Sequence, residues 1–357
     1  MTRVLVVNAG SSSLKLALLG DGDEVLAQAT FDARSDGDLR GALAAHGLDG
    51  ADVVGYRIVH GGDRFTDAVA IDGDVRAALD GLVDLAPLHL PKSLTALDAV
   101  AAALPGRPAA ACFDTSFHAT LPAAARTYAL PRAWRDRWPV RRFGFHGLSH
   151  AWIARAVHAS RIVSCHLGAG ASLCAIRDGA SVDTTMGFTP LEGLIMATRS
   201  GTVDPGLVLW LHQHGGLDAD AIGHALEYES GLLGLSGTGD LREVLVRAAA
   251  GDADATLARD AYVHRLRAGI AAMAAALGGV DALVFTGGVG EHAPEIRARA
   301  AHGLRFLGVA VDEAANRAVR GDADVSAVDA AVRTLVVTAR EDLEIARQTR
   351  AVLGVDA

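Results

Sequence analysis

The chain has 357 residues, of which 50% are hydrophobic and 21% charged, and this balance excludes an intrinsically disordered chain. The length predicts two domains, and the low aromatic share of 5% means that aliphatic side chains must build their cores. The formal net charge of -9 argues against nucleic acid or an anionic membrane surface as the main partner.

The first predicted element is a strand over residues 4–7, because a continuous β-branched run is typical of a strand buried on both faces. The apolar pattern resumes at residues 14–19 after a turn of small residues, which predicts a hairpin. A similar strand-turn-strand unit occupies residues 161–176. Two such units in one chain predict a duplicated α/β fold with a central cleft.

Further elements alternate between strands and helices along the rest of the chain. We expect strands at 52–59, 109–113, 281–285 and 333–337, and helices at 91–103, 255–277, 294–304 and from about 341 to 353. No Ser/Pro-rich linker separates the two halves, so the hinge is expected inside ordered loops.

Cysteine usage and apolar segments indicate the compartment. Cys112, Cys165 and Cys174 lie in apolar stretches without metal-ligand spacing, which favours reduced buried thiols over disulfides or a zinc site. The N-terminal apolar run is too short for a signal peptide, and the Ala-rich run at 268–280 is too short for a membrane span. A cytoplasmic protein is therefore expected.

Two glycine-rich or serine-rich turns are candidate phosphate sites. In the turn from Asn8 to Lys15, small residues would let backbone N–H groups approach a phosphate, and the lysine adds a positive charge. The turn from Gly287 to His292 lies between a strand and a helix, where glycine backbone can face a nucleotide. Each also has a structural explanation, as an ordinary hairpin turn or a connector that needs positive φ.

Four charged or titratable residues lie beside apolar strands: Arg57, Asp114, His146 and Arg199. Arginine and aspartate are seldom buried unless paired, so these positions predict a charged cleft. The alternatives are a structural ion pair between Arg57 and Asp114, a packed core histidine, and an arginine that holds a loop carbonyl.

The segment from Thr338 to Glu341 matches a capping box at a helix start, with the threonine as the cap. The alternative is that Glu341 is a metal-linked carboxylate, and both roles are compatible.

Eleven strings in order carry a resemblance: NAGSSSLK at 8–15, HGG at 60–62, LAPLHLP at 85–91, FDTSFH at 113–118, GFHGLSH at 144–150, CHLGAG at 165–170, GFTPLEGL at 187–194, TRSGTVDP at 198–205, SGTGDLR at 236–242, FTGGVGE at 285–291 and RED at 340–342. Together they resemble the acetate kinase family, within the superfamily that includes sugar kinases, actin and heat-shock chaperones. The resemblance implies two RNase H-like (actin-like ATPase) domains, one formed by 1–118 with 343–357 and one by 119–342 that carries most nucleotide contacts.

The implied reaction is reversible phosphoryl transfer between ATP and the carboxylate of a short acid, which yields an acyl phosphate and ADP with Mg²⁺, or Mn²⁺ in its place. Family members imply a cytoplasmic homodimer that binds a small carboxylic acid and a nucleotide. The acyl pocket implied by the family is lined by Val59, Leu88, Phe145 and Pro190, and no additional small residue enlarges it, which favours acetate or propionate.

The resemblance also implies roles for single residues. Arg57 and Arg199 would receive the carboxylate and steady the phosphoryl group, and His146 would donate a hydrogen bond to it. A short carboxylic acid is already ionised at pH 7, so Asp114 is expected to hold Arg57 or the water shell of Mg²⁺. Asn8 and Glu341 match the metal-linked pair. The matched nucleotide contacts are Ser11, Ser13, Lys15, His166, Leu167, Gly168, Ala169, Gly170, Asp240, Leu241, Arg242, Gly287, Gly288, Val289, Gly290 and Glu291.

The sequence departs from the family pattern at several positions. Ala169 stands where the family has asparagine, and Tyr56, Leu90, His292 and Arg340 also differ from the usual residues. Two alternatives follow: a nucleotide-binding pseudoenzyme, or an acyl kinase with a different phosphoryl donor. A sugar kinase is less favoured, because it would need a carboxylate base facing a hydroxyl, whereas two arginines suit an anionic acceptor.

Overall fold

The structure is a computed structural model, and it describes residues 2–9, 13–32, 39–87 and 90–355, apart from the side chains of Ser13 and Asp32. The chain divides into two compact units. Unit 1 comprises residues 1–119, 145–152 and 340–357, and unit 2 comprises residues 120–144 and 153–339.

The described residues form twelve strands: β1 (Val4–Ala9), β2 (Ser13–Leu19), β3 (Val25–Asp32), β4 (Val53–Ile58), β5 (Val69–Ala70), β6 (Ala109–Phe113), β7 (Arg161–Leu167), β8 (Ala171–Arg177), β9 (Ala180–Thr184), β10 (Ala282–Thr286), β11 (Ala323–Asp324) and β12 (Arg333–Val336).

The α-helices are α1 (Leu39–Ala45), α2 (Gly73–Asp80), α3 (Leu90–Ala103), α4 (Ala123–Arg126), α5 (Arg132–Arg137), α6 (Gly147–Ala156), α7 (Pro205–His214), α8 (Ala219–His224), α9 (Gly231–Ser236), α10 (Leu241–Ala249), α11 (Ala253–Leu277), α12 (Gly287–His292), α13 (Pro294–His302), α14 (Glu313–Ala318) and α15 (Glu341–Leu353). Short 3₁₀ turns occupy Val83–Leu85, Ser116–Thr120 and Arg305–Leu307, and one π-turn occupies Ala225–Glu229. Within the described ranges no helix is both long and apolar enough to cross a membrane.

Unit 1 contains a six-stranded sheet in the order β3-β2-β1-β4-β6-β5. Strand β1 pairs antiparallel with β2, as the predicted hairpin requires, and parallel with β4. Alternate residues of β1 point to opposite faces, and both sets are buried: Leu5 and Val7 join one apolar cluster, and Val4 and Val6 join the other. Helix α3 contributes to the first cluster and α15 to the second, so helices cover both faces of this sheet.

Helix α15 packs closely on β4 because Gly55 has no side chain. A Cβ at this position would collide with Thr349 Oγ1 and come 2.8 Å from Ile345 Cγ2. The Cys112 thiol of β6 also donates to the carbonyl oxygen of Ile345, at 3.7 Å. The small residue in the strand therefore sets the distance between the sheet and its last helix.

Unit 2 contains a second six-stranded sheet, in the order β11-β12-β10-β7-β8-β9. Strand β7 pairs antiparallel with β8 and parallel with β10, as β1 pairs with β2 and β4 in unit 1. In each sheet the first strand thus lies between an antiparallel meander and parallel strands. This repetition confirms the predicted duplicated α/β fold.

The units differ from the predicted domain division at residues 145–152, which belong to unit 1. Gly147 N donates to Asp114 O at 2.8 Å, and His118 Nε2 hydrogen-bonds to Phe145 O at 3.0 Å. These bonds attach the start of α6 to the end of β6. The C-terminal segment of unit 1 also begins at residue 340 rather than at 343.

The three cysteines are free and buried, as expected for reduced thiols. Burial raises the pKa of the Cys112 and Cys174 thiols to about 12, so neither is a thiolate at neutral pH.

Candidate active site

Unit 1 brings Arg57, Asp114, Asn8 and Glu341 together at the carboxyl ends of its central parallel strands. Arg57 is the penultimate residue of β4, and Asp114 directly follows β6, which pairs parallel with β4. Arg57 Nη2 donates to Asp114 Oδ2 at 2.7 Å, and Nε lies 3.1 Å from each oxygen of the same carboxylate. Asp114 is 1% exposed, so this is a buried, bidentate ion pair.

Arg57 is also fixed on its other terminal nitrogen, where Nη1 donates to Asn8 Oδ1 at 3.0 Å. A guanidinium carries five N–H groups. These contacts with described residues use one N–H on each nitrogen and leave one on each of Nη1 and Nη2 for an anionic ligand. Burial alone would lower the pKa of Arg57, but the carboxylates of Asp114 and Glu341 raise it above its ordinary value. The arginine is therefore a fixed cation at any physiological pH.

Glu341 begins α15, and its Oε2 accepts a hydrogen bond from Asn8 Nδ2 at 3.2 Å. The predicted capping box is wrong. The residue before the helix is Arg340, which makes no side-chain cap, and the amide of Thr338 donates to Asp322 instead. The helix starts at Glu341, two residues later than a cap at Thr338 requires. The Glu341 carboxylate lies beside Asn8 and adds negative charge to the first helical turn.

His146 has a left-handed backbone, with φ of 55°. This conformation is uncommon for a residue with a side chain and is concentrated at functional sites. The next residue, Gly147, lies so close to Asp114 that a Cβ there would collide with the Asp114 carbonyl oxygen. The His146 backbone is thus tied to Asp114 through its neighbour.

Unit 2 brings together two of the predicted nucleotide segments. His166 and Leu167 end β7, whose parallel neighbour β10 ends at Thr286 opposite His166. Gly287 has φ of 77°, and a Cβ there would come 2.8 Å from Leu167 O, so this position requires glycine. The turn of Gly168, Ala169 and Gly170 and the start of α12 with Gly288, Val289 and Gly290 therefore lie side by side.

The residues from 287 to 292 form a short helix rather than the turn between a strand and a helix that the sequence predicted. Glu291 Oε1 accepts from the amides of Gly287 and Ala339, each at 3.0 Å. The Glu291 carboxylate thus accepts the hydrogen bond of the Gly287 amide, a residue that the resemblance assigned to the nucleotide. A contact between Glu291 and nucleotide stays a prediction.

Arg297 is a buried residue that the sequence did not single out. Its guanidinium donates to the carbonyl oxygens of Gly290 and Glu291, each at 2.8 Å, and to Asn316 Oδ1 and O, each at 2.7 Å. Among the described residues no carboxylate pairs with it, and burial lowers the pKa of Arg297 to about 10. Arg297 therefore holds the end of α12 with hydrogen bonds to neutral acceptors.

Arg199 lies in the loop after β9, and its Nε contacts Glu227 Oε2 at 2.9 Å. Its Nη1 makes only long contacts, 3.4 Å to Pro190 O and 3.8 Å to Met196 Sδ. The same loop is joined to the turn at 168–170, because Ala197 N donates to Ala169 O at 3.0 Å. Ala169 itself is exposed.

The remaining predicted residues are distributed as follows. Lys15 is exposed and pairs with Asn8 across the hairpin of β1 and β2. Val59 is half-buried, whereas Phe145 and Pro190 are buried. Asp240 caps α10 and pairs with Arg242 at 2.7 Å on the surface, next to Leu241. Ser11 and Leu88 lie outside the described residues, as does the side chain of Ser13.

Sequence reasoning missed Glu227 and Arg297. Each is a single charged residue in an unremarkable helical string. The partner of Glu227 lies 28 residues before it, and the partners of Arg297 lie 6, 7 and 19 residues away. The only available signal was that a carboxylate or guanidinium in an apolar context needs a partner.

The two sheets, each with its first strand between antiparallel and parallel neighbours, define the duplicated actin-like ATPase class of fold. The model of the acetokinase family matches residues 38–347, and the chain belongs to that family. An acetate kinase of Leifsonia xyli subsp. xyli is 44% identical over 98% of each chain.

Solved structures agree with this assignment. The acetate kinase of Porphyromonas gingivalis has a TM-score of 0.90 at 36% identity and covers 99% of this chain and 100% of its own. A propionate kinase from Francisella tularensis subsp. tularensis has a TM-score of 0.92 at 32% identity, with the same coverage. These matches confirm the predicted family, the predicted acetate kinase function and the enzyme class, a phosphotransferase with a carboxyl group as acceptor.

Proposed function

We propose that this protein transfers the γ-phosphoryl group of ATP reversibly to the carboxylate of acetate, and that the pairing of Arg57 with Asp114 prepares the acid-binding end of the site. The buried, bidentate geometry of this pair is the observation that carries the proposal. An arginine that is held on both sides, with N–H groups left over, suits the planar oxygen pair of a carboxylate.

The acid needs no base. Model carboxyl groups have a pKa near 4, so acetate enters as the anion and its oxygen is already a nucleophile. Asp114 therefore serves in this proposal to hold Arg57, in agreement with the three short contacts between them. Val59, Phe145 and Pro190 are the proposed apolar contacts of the methyl group.

The transferring phosphoryl group needs donors for its oxygens, since most of the catalysis of such a transfer is positioning and charge neutralisation. We assign this role to Arg199 and His146, and the nucleotide phosphates to Lys15, the turn at 168–170 and the start of α12. Glycine at 170 and 288 leaves backbone amides accessible to phosphate oxygens, whereas the Gly168 amide donates to Gly170 O at 2.9 Å.

Magnesium fits the residues at the start of α15. Mg²⁺ is usually held by one or two carboxylates with waters and substrate phosphates, and Glu341 with the amide oxygen of Asn8 supplies hard oxygen ligands. When bound, Mg²⁺, or Mn²⁺, would neutralise charge on the phosphate oxygens.

The test is a matrix of acceptors and donors: acetate, propionate, butyrate and glycerol against ATP, GTP and pyrophosphate, with Mg²⁺ present. Hydroxylamine trapping of the acyl phosphate reports turnover. Turnover of acetate with ATP supports the proposal, and turnover only with propionate would change the acceptor, because one methylene is worth about 1 to 3 kcal/mol in such pockets. Nucleotide binding without any hydroxamate would favour the pseudoenzyme.

We further propose a homodimer in the cytoplasm, without nucleic-acid or membrane partners. The buried free thiols suit a reducing compartment, and the acidic charge disfavours polyanions. Light scattering after size exclusion, and fractionation of cells, would test these two statements.

A further inference from the structure

Glu227 is a buried carboxylate outside every motif that the proposed function uses. It is 8% exposed, and glutamate is rarely buried without a partner. Its partner is Arg199: the distance from Oε2 to Nε is 2.9 Å, and the two side chains are 10% and 18% exposed. It is the shortest contact of this guanidinium, since both Nη1 contacts are 3.4 Å or longer.

The backbone around Glu227 is bound to the backbone around Arg199. Thr198 Oγ1 donates to Glu227 O at 2.8 Å, Ser200 N donates to Leu226 O at 3.1 Å, and Ser230 N donates to Thr198 O at 2.9 Å. Residues 226–230 are therefore hydrogen-bonded to the residues on both sides of Arg199.

Two local features show that this segment is shaped for the contact. Residues Ala225–Glu229 form a π-turn, a rare conformation that is frequent at functional sites. Gly231 follows with φ of 63°, and a Cβ there would collide with Met196 O and come 2.7 Å from Arg199 O. The π-turn directs Glu227 inward, and the glycine permits the close approach of the two segments.

The contact also fixes which donors of Arg199 face a ligand. The Glu227 carboxylate pairs with the Nε side of the guanidinium at 2.9 Å, and Nη1 donates to Pro190 O at 3.4 Å, whereas no hydrogen bond from Nη2 is found among the described residues. We propose that Glu227 is a positioning residue, which holds the guanidinium of Arg199 by Nε so that Nη2 is presented to the anionic oxygens of the reacting group. This inference rests on the role of Arg199 in the proposed function.

The experiment compares three variants and their combinations. Glu227→Ala removes the acceptor, Glu227→Gln keeps an oxygen at the same length, and Glu229→Gln changes an exposed carboxylate in the same turn as a matched control. A guanidinium that is free to move by an ångström is expected to cost about 100-fold in kcat. We therefore expect a loss of that order for Glu227→Ala, most of the activity for Glu227→Gln, and full activity for Glu229→Gln.

A double-variant cycle separates positioning from a general effect on folding. If Glu227 acts through Arg199, adding Glu227→Ala to Arg199→Ala changes kcat by less than about threefold, because the group that it positions is already absent. Multiplicative losses would overturn the inference, as would wild-type kcat in a folded Glu227→Ala protein. If instead Arg199→Ala is itself fully active, the assignment of Arg199 in the proposed function fails, and the two failures are thus distinguished.

Discussion

The buried pair of Arg57 and Asp114 allows a quantitative prediction for Asp114→Asn. Two unit charges about 3 Å apart interact by roughly 5 kcal/mol at an effective dielectric constant of about 20, and desolvation of both groups offsets part of this. We expect the loss of the carboxylate charge to raise the activation free energy by about 3 kcal/mol, which is about two orders of magnitude in kcat/KM.

The assay is a kinetic double-variant cycle with Asp114→Asn, Arg57→Ala and both together. If Asp114 acts by holding Arg57, Asp114→Asn costs almost no activation free energy in a protein that already carries Arg57→Ala. The coupling free energy between the two changes then approaches the full cost of Asp114→Asn alone, about 3 kcal/mol. Asp98→Asn is the control, because Asp98 also pairs with an arginine at 2.7 Å but is 55% exposed, and such pairs contribute about 0 to 1 kcal/mol. Additive losses within about 0.5 kcal/mol would refute the holding role and assign Asp114 an independent one.

Three further predictions concern other elements. Glu341→Gln should lower kcat by orders of magnitude and shift the Mg²⁺ optimum. Calorimetry should show a loss of only about 0.3 to 1 kcal/mol of folding stability, the contribution of one charge at a helix start, and a fully active variant contradicts the metal role. Ala169→Asn should lower the KM for ATP in steady-state kinetics, because one added hydrogen bond contributes about 0.5 to 1.5 kcal/mol to ATP binding, and should leave the KM for acid unchanged. An unchanged KM for ATP would remove this turn from the nucleotide site. Arg297→Met should destabilise the protein by about 3 kcal/mol or more in urea unfolding, because it removes the donor to four acceptors, three of them in buried contacts. Arg299→Met removes a half-exposed pair and should cost less than about 1 kcal/mol, and equal effects of the two variants would contradict this account.

The sheets could be predicted from the sequence because their central strands are continuous apolar runs. Residues 4–7 are such a run, and residues 161–167 are mostly apolar. Each segment is followed by a small-residue turn, and each is the first strand of a six-stranded sheet. The string carrying Arg57 also placed it at a strand end, but whether it paired with Asp114 stayed open until the register of β4 and β6 was known.

The contacts that hold the site together could not be predicted in this way. The partner of Arg199 is Glu227, and no local spacing links the two. The capping box at Thr338 illustrates the opposite failure. The local pattern is present in the sequence, but the helix begins at Glu341 without a side-chain cap, and the Glu341 carboxylate accepts a long-range hydrogen bond from Asn8. Side-chain pairing across a fold depends on topology, which local patterns do not contain.

Helix α15 has a consequence for the order in which the protein is made. A ribosome releases the amino end first, so β1, β4 and β6 emerge long before residues 341–353, which complete the core cluster over Val4, Val6 and Cys112. Unit 2 is nearly continuous in sequence and lies between these segments. During synthesis the first sheet must therefore wait with one apolar face uncovered while the second unit folds. Chains released before residue 341 would keep that face exposed, and they would be substrates for chaperones and proteases rather than half-active enzymes.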